Sequence, residues 1–142
     1  MDVEWLILAD AAQVANGKLN LLGGGWDILT VNDQFPHKQH LAVAASFRVP
    51  WNETNQPQGI QIVIIEDDTN RELLKVDGHL EVGRPPGILR GQDQRAQIAV
   101  EGITELSEGT YRIIARAESG EEKQTSFRVV PGPELVRRAA QG

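Results

Sequence analysis

The feature that most restricts this chain is the stretch 41–130. There, apolar and polar residues alternate in short segments broken by turn residues at nearly regular intervals. A period of two puts successive side chains on opposite faces of an extended backbone. A series of such segments with turns between them predicts an all-β domain. The clearest segment is 41–49, where Leu41, Val43, Ala45, Phe47 and Val49 share one face. Ala42, Ala44, Ser46 and Arg48 share the other, and their small size predicts that this face is partly covered. In 60–65, Ile60, Ile62 and Ile64 alternate with Gln61, Val63 and Ile65. A segment apolar on both faces at its end is expected in the middle of a sheet. The return strand is expected to face Leu74, Val76, Leu80 and Val82 inward and Lys75, Asp77, His79 and Glu81 outward.

Turn chemistry supplies the punctuation. Asn16-Gly17 is the strongest hairpin dipeptide, because a type I′ turn needs positive φ at both central residues; Val14 precedes it and Leu19 and Leu21 follow. Asp67-Asp68-Thr69-Asn70, Glu108-Gly109 and Ser119-Gly120 mark further turns. Gly23-Gly24-Gly25 leads into Trp26 with no helix signal after it. It therefore reads as a bend or bulge and matches neither the dinucleotide nor the P-loop pattern. Pro131-Gly132-Pro133 stops the last strand, and 134–140 is expected as a short helix or frayed tail. The whole predicts an antiparallel two-sheet β-sandwich, immunoglobulin-like, of about eight or nine strands. A small closed barrel is the alternative. Residues 1–130 are expected to form a single sandwich domain and 131–142 a C-terminal tail. A chain of 142 residues fits that size and can bury a core without disulfides or a metal.

Charge and composition exclude several classes. The net charge of −6 opposes binding to a phosphate backbone, so no nucleic-acid partner is expected. The absence of cysteine removes disulfides, thiolate nucleophiles and thiolate zinc sites. The apolar run 5–9 is far too short to cross a membrane. Asp2 and Glu4 stand where a signal peptide would carry basic residues, so a cytoplasmic location and no membrane partner are expected.

Leu106-Ser107-Glu108-Gly109-Thr110-Tyr111 places a tyrosine just after an acidic turn, at the start of a late strand. That predicts a tyrosine corner, in which the phenol bonds backbone a few residues upstream. Its role would be structural. The opening Asn16-Gly17-Lys18-Leu19-x-Leu21-x-Gly23, with Gly109-x-Tyr111 and Phe127 near the end, resembles a bacterial family of uncharacterised small β-sandwich proteins. The resemblance covers most of the chain, but its motifs are turns and core positions. It implies a fold and no activity, so it transfers no functional residues.

Candidate chemistry is sparse. His37 and His40 lie three apart in a connection and His79 on an outward face. A metal site would need them to converge with Asp77 or Glu81, and no spacing forces that. The turn 66–70 offers carboxylates but lacks spaced calcium ligands, and is expected to be an Asx-type hairpin turn. Ser46, Ser107, Ser119 and Ser126 occur in no nucleophile-elbow context. No catalytic, cofactor-binding or metal-ligating residue is therefore assigned, and no cofactor is expected. The loop 83–95 is different. Arg84, Arg90 and Arg95 flank apolar Ile88 and Leu89, which is an interface composition, and Trp51 in a second loop is another anchor. The leading expectation is a non-catalytic module acting by protein association, including self-association through a sheet edge or this loop. A small-molecule or carbohydrate-binding module, with Trp51 or Trp26 as a stacking platform, is the alternative. A metal-dependent hydrolase ranks below both.

Overall fold

The computed structural model describes residues 1–141. It contains β1 (Asp2–Ala15), β2 (Lys18–Gly24), β3 (Ile28–Val31), β4 (His37–Val49), β5 (Gln58–Glu66), β6 (Glu72–Leu80), β7 (Gln94–Leu106), β8 (Gly109–Ala117) and β9 (Lys123–Pro131). One short helix, α1 (Pro133–Gln141), follows. The strands form a four-stranded sheet in the order β2-β1-β4-β7 and a five-stranded sheet in the order β3-β9-β8-β5-β6. No strand is shared between them, so the closed-barrel alternative is set aside.

The alternation of 41–49 is realised as expected. Leu41, Val43, Ala45, Phe47 and Val49 enter the core and meet Ile60, Ile62 and Ile64 of β5, Tyr111 and Ile113 of β8, and Phe127 of β9. Each sheet thus contributes alternate residues to one apolar layer, which is how a two-sheet arrangement removes both inner faces from water.

Asn16 and Gly17 have φ of 53° and 70°, and Ala15 pairs with Lys18, so the first hairpin has the two-residue turn its sequence predicts. The glycine triplet has a different task. The chain leaves β2 there and crosses to the other sheet. Gly23 has φ of 59°, and a Cβ on it would strike the Asp10 carboxylate. Gly25 N–H donates to Leu8 O at 2.8 Å, and the Trp26 indole donates to Asp10 Oδ1 at 3.1 Å. Trp26 then sets its ring edge-on against Phe127, with centroids 5.7 Å apart. The crossing delivers β3 parallel to β9. An entirely antiparallel arrangement was expected, and every other pair meets it. The exception arises because β3 reaches the second sheet by a crossover rather than a hairpin.

The tyrosine corner is present. Tyr111 is fully buried, stacks on Phe127 with centroids 5.0 Å apart, and its hydroxyl accepts Ser107 N–H at 2.9 Å. Its single proton goes to Ser107 O at 2.9 Å or Glu66 Oε2 at 3.1 Å. This ties the β7–β8 connection, which passes from one sheet to the other, to the end of β5.

β1 has two halves. Asp2 to Ala9 pair with β4, but beyond Ala9 only β2 remains alongside. Side chains take up the freed backbone groups there. His40 Nδ1 lies 2.8 Å from Asp10 O, and Ala12 N–H donates to Glu101 Oε1 at 2.7 Å.

Candidate functional site

The loop between β6 and β7 is braced at its base. Gln94 donates its side-chain amide to Gly83 O at 2.8 Å. Arg84 lies over the Trp51 ring, with its guanidinium carbon 3.6 Å from the centroid. It also donates Nε–H to Thr54 Oγ1 at 2.7 Å and Nη2–H to Trp51 O at 3.0 Å. A guanidinium stacked on an indole and donating to that residue's own carbonyl locks both in place. Two of the six anchor candidates, Arg84 and Trp51, therefore form a strut between two loops. One face of the Trp51 indole is occupied by Arg84, and Trp26 packs T-shaped on Phe127.

The other four lie further along. Leu89 N–H donates to Gln92 Oε1 at 2.9 Å and Gln92 N–H to Leu89 O at 3.0 Å, with Gly91 at φ 81° closing the turn. That turn holds Leu89 outward, 73% exposed, beside exposed Arg90. Ile88 turns the other way and lines a cleft of about 620 Å³ with Glu4, Arg48, Asp93 and Arg95. Charges in the cleft are matched. Arg95 Nε is 2.7 Å from Glu4 Oε1, and Arg48 lies 3.4 Å from Asp2 and 3.9 Å from Asp93. The structure thus brings Ile88 and Arg95 together at the cleft, Leu89 and Arg90 at the loop tip, and Arg84 with Trp51 behind them.

The titratable groups are engaged in bracing. His37 bonds Asp33 at 2.9 Å and Gln39 at 2.9 Å, while His79 lines a hollow of about 340 Å³ on the five-stranded sheet with Asp77, Arg116 and Glu118. Among the described residues no three His, Cys, Asp or Glu side chains gather as a metal centre would require. In the acidic turn, the Thr69 hydroxyl, then Arg71 and Tyr111, donate to Glu66 and hold its carboxyl below the ordinary range. Burial pushes the Tyr111 phenol up, and its contact with the Glu66 carboxylate adds to this. Asp67 is paired with Arg112. These carboxylates are held by Thr69, Arg71, Tyr111 and Arg112 around the turn.

One surface was legible only as a hint. Ala42, Ala44 and Ser46 point away from the core, yet each is fully buried. Ala9 and Ala12 of β1 join Ala42 and Ala44 in a second apolar cluster, with Trp5, Leu19, Leu21 and Ala99 packed around it. The cover that small residues predicted comes from neighbours in the same sheet.

Among the described residues no helix is long and apolar enough to cross a membrane. Residues 4–130 match a family described as a family of unknown function (DUF6941). The chain belongs to that family, in keeping with the resemblance its turns and core positions carry. No curated protein matches it.

Proposed function

We propose, taking membership of a family without an assigned activity as the premise, that this domain is a non-catalytic association module that engages a protein partner through the loop 83–95. The observation that carries this reading is Leu89. It is a large apolar side chain, 73% exposed, at the tip of a loop pinned by Arg84, Gln92 and Gln94. Apolar tips on braced loops lose little conformational entropy on binding, and an exposed leucine beside an exposed arginine, Leu89 with Arg90, suits an interface. The immunoglobulin-like reading supports a binding role by analogy. In its favour are the β4–β7 neighbours in one sheet, the β9-β8-β5-β6 order in the other, and a tyrosine corner on β8.

The test is native mass spectrometry of protein purified gently from its own host. A co-purifying partner that is lost in Leu89→Asp, with cooperative melting unchanged, supports the reading. A partner retained by Leu89→Asp removes the loop from it. A second reading, a small-molecule module, is favoured by the cleft of about 620 Å³ beneath Ile88, whose charged pairs would suit a polar ligand. A monomer carrying added small-molecule mass would move the assignment there.

A further inference from the structure

A strand at the edge of a sheet carries a row of unpaired backbone donors and acceptors. Proteins ordinarily shorten such a strand, bulge it, or place lysine or proline on it, so that other strands do not join. Three of the four sheet edges follow that practice. β2 has seven residues and β3 has four. The pairing of β6 with β5 is interrupted by a register shift, and Lys75 lies on β6. β7 does not follow it. It runs for thirteen residues, contains no lysine or proline, and keeps one unbroken register with β4 from end to end. No described strand pairs with its far side. Alternate residues of an antiparallel strand turn N–H and C=O to the same neighbour. Glu105 O accepts Arg71 Nη2–H at 3.1 Å from outside the β4 ladder, which marks the odd-numbered residues as turned outward. The open backbone groups of this edge are therefore those of Gln97, Ala99, Glu101 and Ile103. Ala96, Ile98 and Val100 point into the core between them, yet are only half-buried, because the core ends at this edge. Ile103, on the outer face, is 75% exposed.

We propose that β7 pairs antiparallel with β7 of a second copy about a two-fold axis through Val100, joining two four-stranded sheets into one of eight strands. The inference keeps the loop reading above and places self-association on a surface apart from Leu89. The order of residues along β7 favours its own copy as the occupant. An axis at Val100 sets Arg95 of each copy opposite Glu105 of the other, which is the self-complementarity an isologous contact needs. Arg95 is 69% exposed and meets Glu4 through Nε, so its Nη groups are left for a second carboxylate, and Glu105 is exposed. The same axis sets Gln97 opposite Ile103 and Ala99 opposite Glu101 on the outer face. On the inner face it sets Val100 against itself and Ile98 against Gly102, so the half-buried side chains at the open end of the core cover one another. Opposite charges directly across two strands are favourable and like charges unfavourable. An axis at Glu101 would set that carboxylate against its own copy, and one at Ala99 would leave Arg95 facing Ile103. With the axis at Val100, four pairs of open residues exchange two backbone hydrogen bonds each. The stretch from Arg95 to Ile103 is about 30 Å long at about 3.4 Å per residue, and the edge is two layers deep, about 10 Å apart, which offers roughly 500 Å² per copy. Two such edges bury about 1,000 Å², the lower limit for a specific pair, so a dimer of micromolar strength is expected.

Sedimentation velocity of the full chain over a dilution series tests this, with thermal melts as the folding control. Proline is tolerated on an edge strand where the N–H it removes faces solvent, and Ile103 is such a position. The expected result is a dimer whose dissociation constant rises at least about tenfold in Ile103→Pro. Glu105→Arg, which sets arginine against arginine at both ends of the contact, should raise it about fivefold at low salt and less at high salt. Leu89→Asp should leave the dimer intact. Should Ile103→Pro fail to fold, Glu105→Arg decides, because it changes an exposed side chain and leaves the β4 ladder untouched. A wild-type chain monomeric at about 100 µM overturns the proposal. A dimer that a folded Ile103→Pro leaves unchanged overturns it too, and one that Glu105→Arg leaves unchanged overturns the register at Val100. A dimer broken by Leu89→Asp but not by Ile103→Pro also overturns it, and moves self-association to the loop.

Discussion

The two sheets share one core and differ on their outer faces. On the five-stranded sheet, Val63 and Ile114 pair at the centre, and Gln61, Lys75, Asp77, Arg112 and Arg116 surround them. On the four-stranded sheet, the equivalent centre is Ala44 between Ile7 and Ala99, with Ala9 and Ala42 on the next rung. A sheet with one solvated side ordinarily alternates apolar and polar residues. The first face does so, with a small apolar island that charged stems can cover. The second puts alanine and large apolar side chains at its centre, with Glu101 and Arg48 toward its ends. The lesson is that the inward pattern sets the fold while the outward pattern records what each face meets, and the two faces here record different surroundings.

The largest expected effect separates them directly. Ala44→Asp puts a carboxylate at a fully buried position whose register neighbours are Ile7 and Ala99, with no cation beside it. Val63→Asp puts one at a site almost as buried, but cross-strand from Lys75 and diagonal to Arg112 and Arg116. An unpaired buried charge costs far more than one with a partner, so the first should lose roughly 3 kcal/mol or more and the second about 1–2 kcal/mol. Urea unfolding followed by fluorescence and circular dichroism measures both. Equal losses would erase the distinction between the faces.

The next comparison concerns how each sheet is tied at its end. Tyr111→Phe removes a buried hydroxyl that satisfies Ser107 N–H and reaches Glu66, and should cost about 1–2 kcal/mol. Glu101→Ala frees Ala12 N–H on the four-stranded side, where the carboxylate is 40% exposed and water can replace it, and should cost under about 1 kcal/mol. Denaturant midpoints measured side by side rank the two ties. A larger loss at Glu101 would show that the β1–β2 arm is held far more firmly than its sparse pairing with β4 implies.

What the residues revealed in advance follows the range of the physics. Facing is a local property, so the inward set of 41–49 and the hairpin at Asn16-Gly17 could be read from a few neighbours. The Tyr111 corner was legible because its partner Ser107 is four residues away. Partner choice between distant strands has no such signature. The passage of β3 into parallel pairing with β9 depends on a corner made by Gly23, Asp10 and Trp26, which meet only in the fold. Composition marks all six anchor candidates alike and cannot tell a free guanidinium from one resting on an indole, so it groups Arg84 and Trp51 with Leu89. The alanines of β4 announced a covered face, but not that their cover is their own sheet.

The smallest effect sharpens the charged side of the comparison. Glu66 sits where the five-stranded sheet meets its acidic turn, and donation from Thr69, Arg71 and Tyr111 lowers its carboxyl from an ordinary value of 4.5. A group whose folded value is depressed adds stability that is complete above the unfolded value and is lost as pH falls through the folded one. The contribution should therefore be full at neutral pH and fade below 4.5. Glu66→Gln keeps the shape and one acceptor but removes the titration. It should lower the urea midpoint modestly at neutral pH, and the gap to wild type should narrow as pH falls below 4.5. Unfolding curves at the two pH values decide the point. If the gap between the two proteins instead widens in acid, the three donors are stabilising the protonated acid, and the turn would owe its stability to neutral hydrogen bonds rather than to the carboxylate charge.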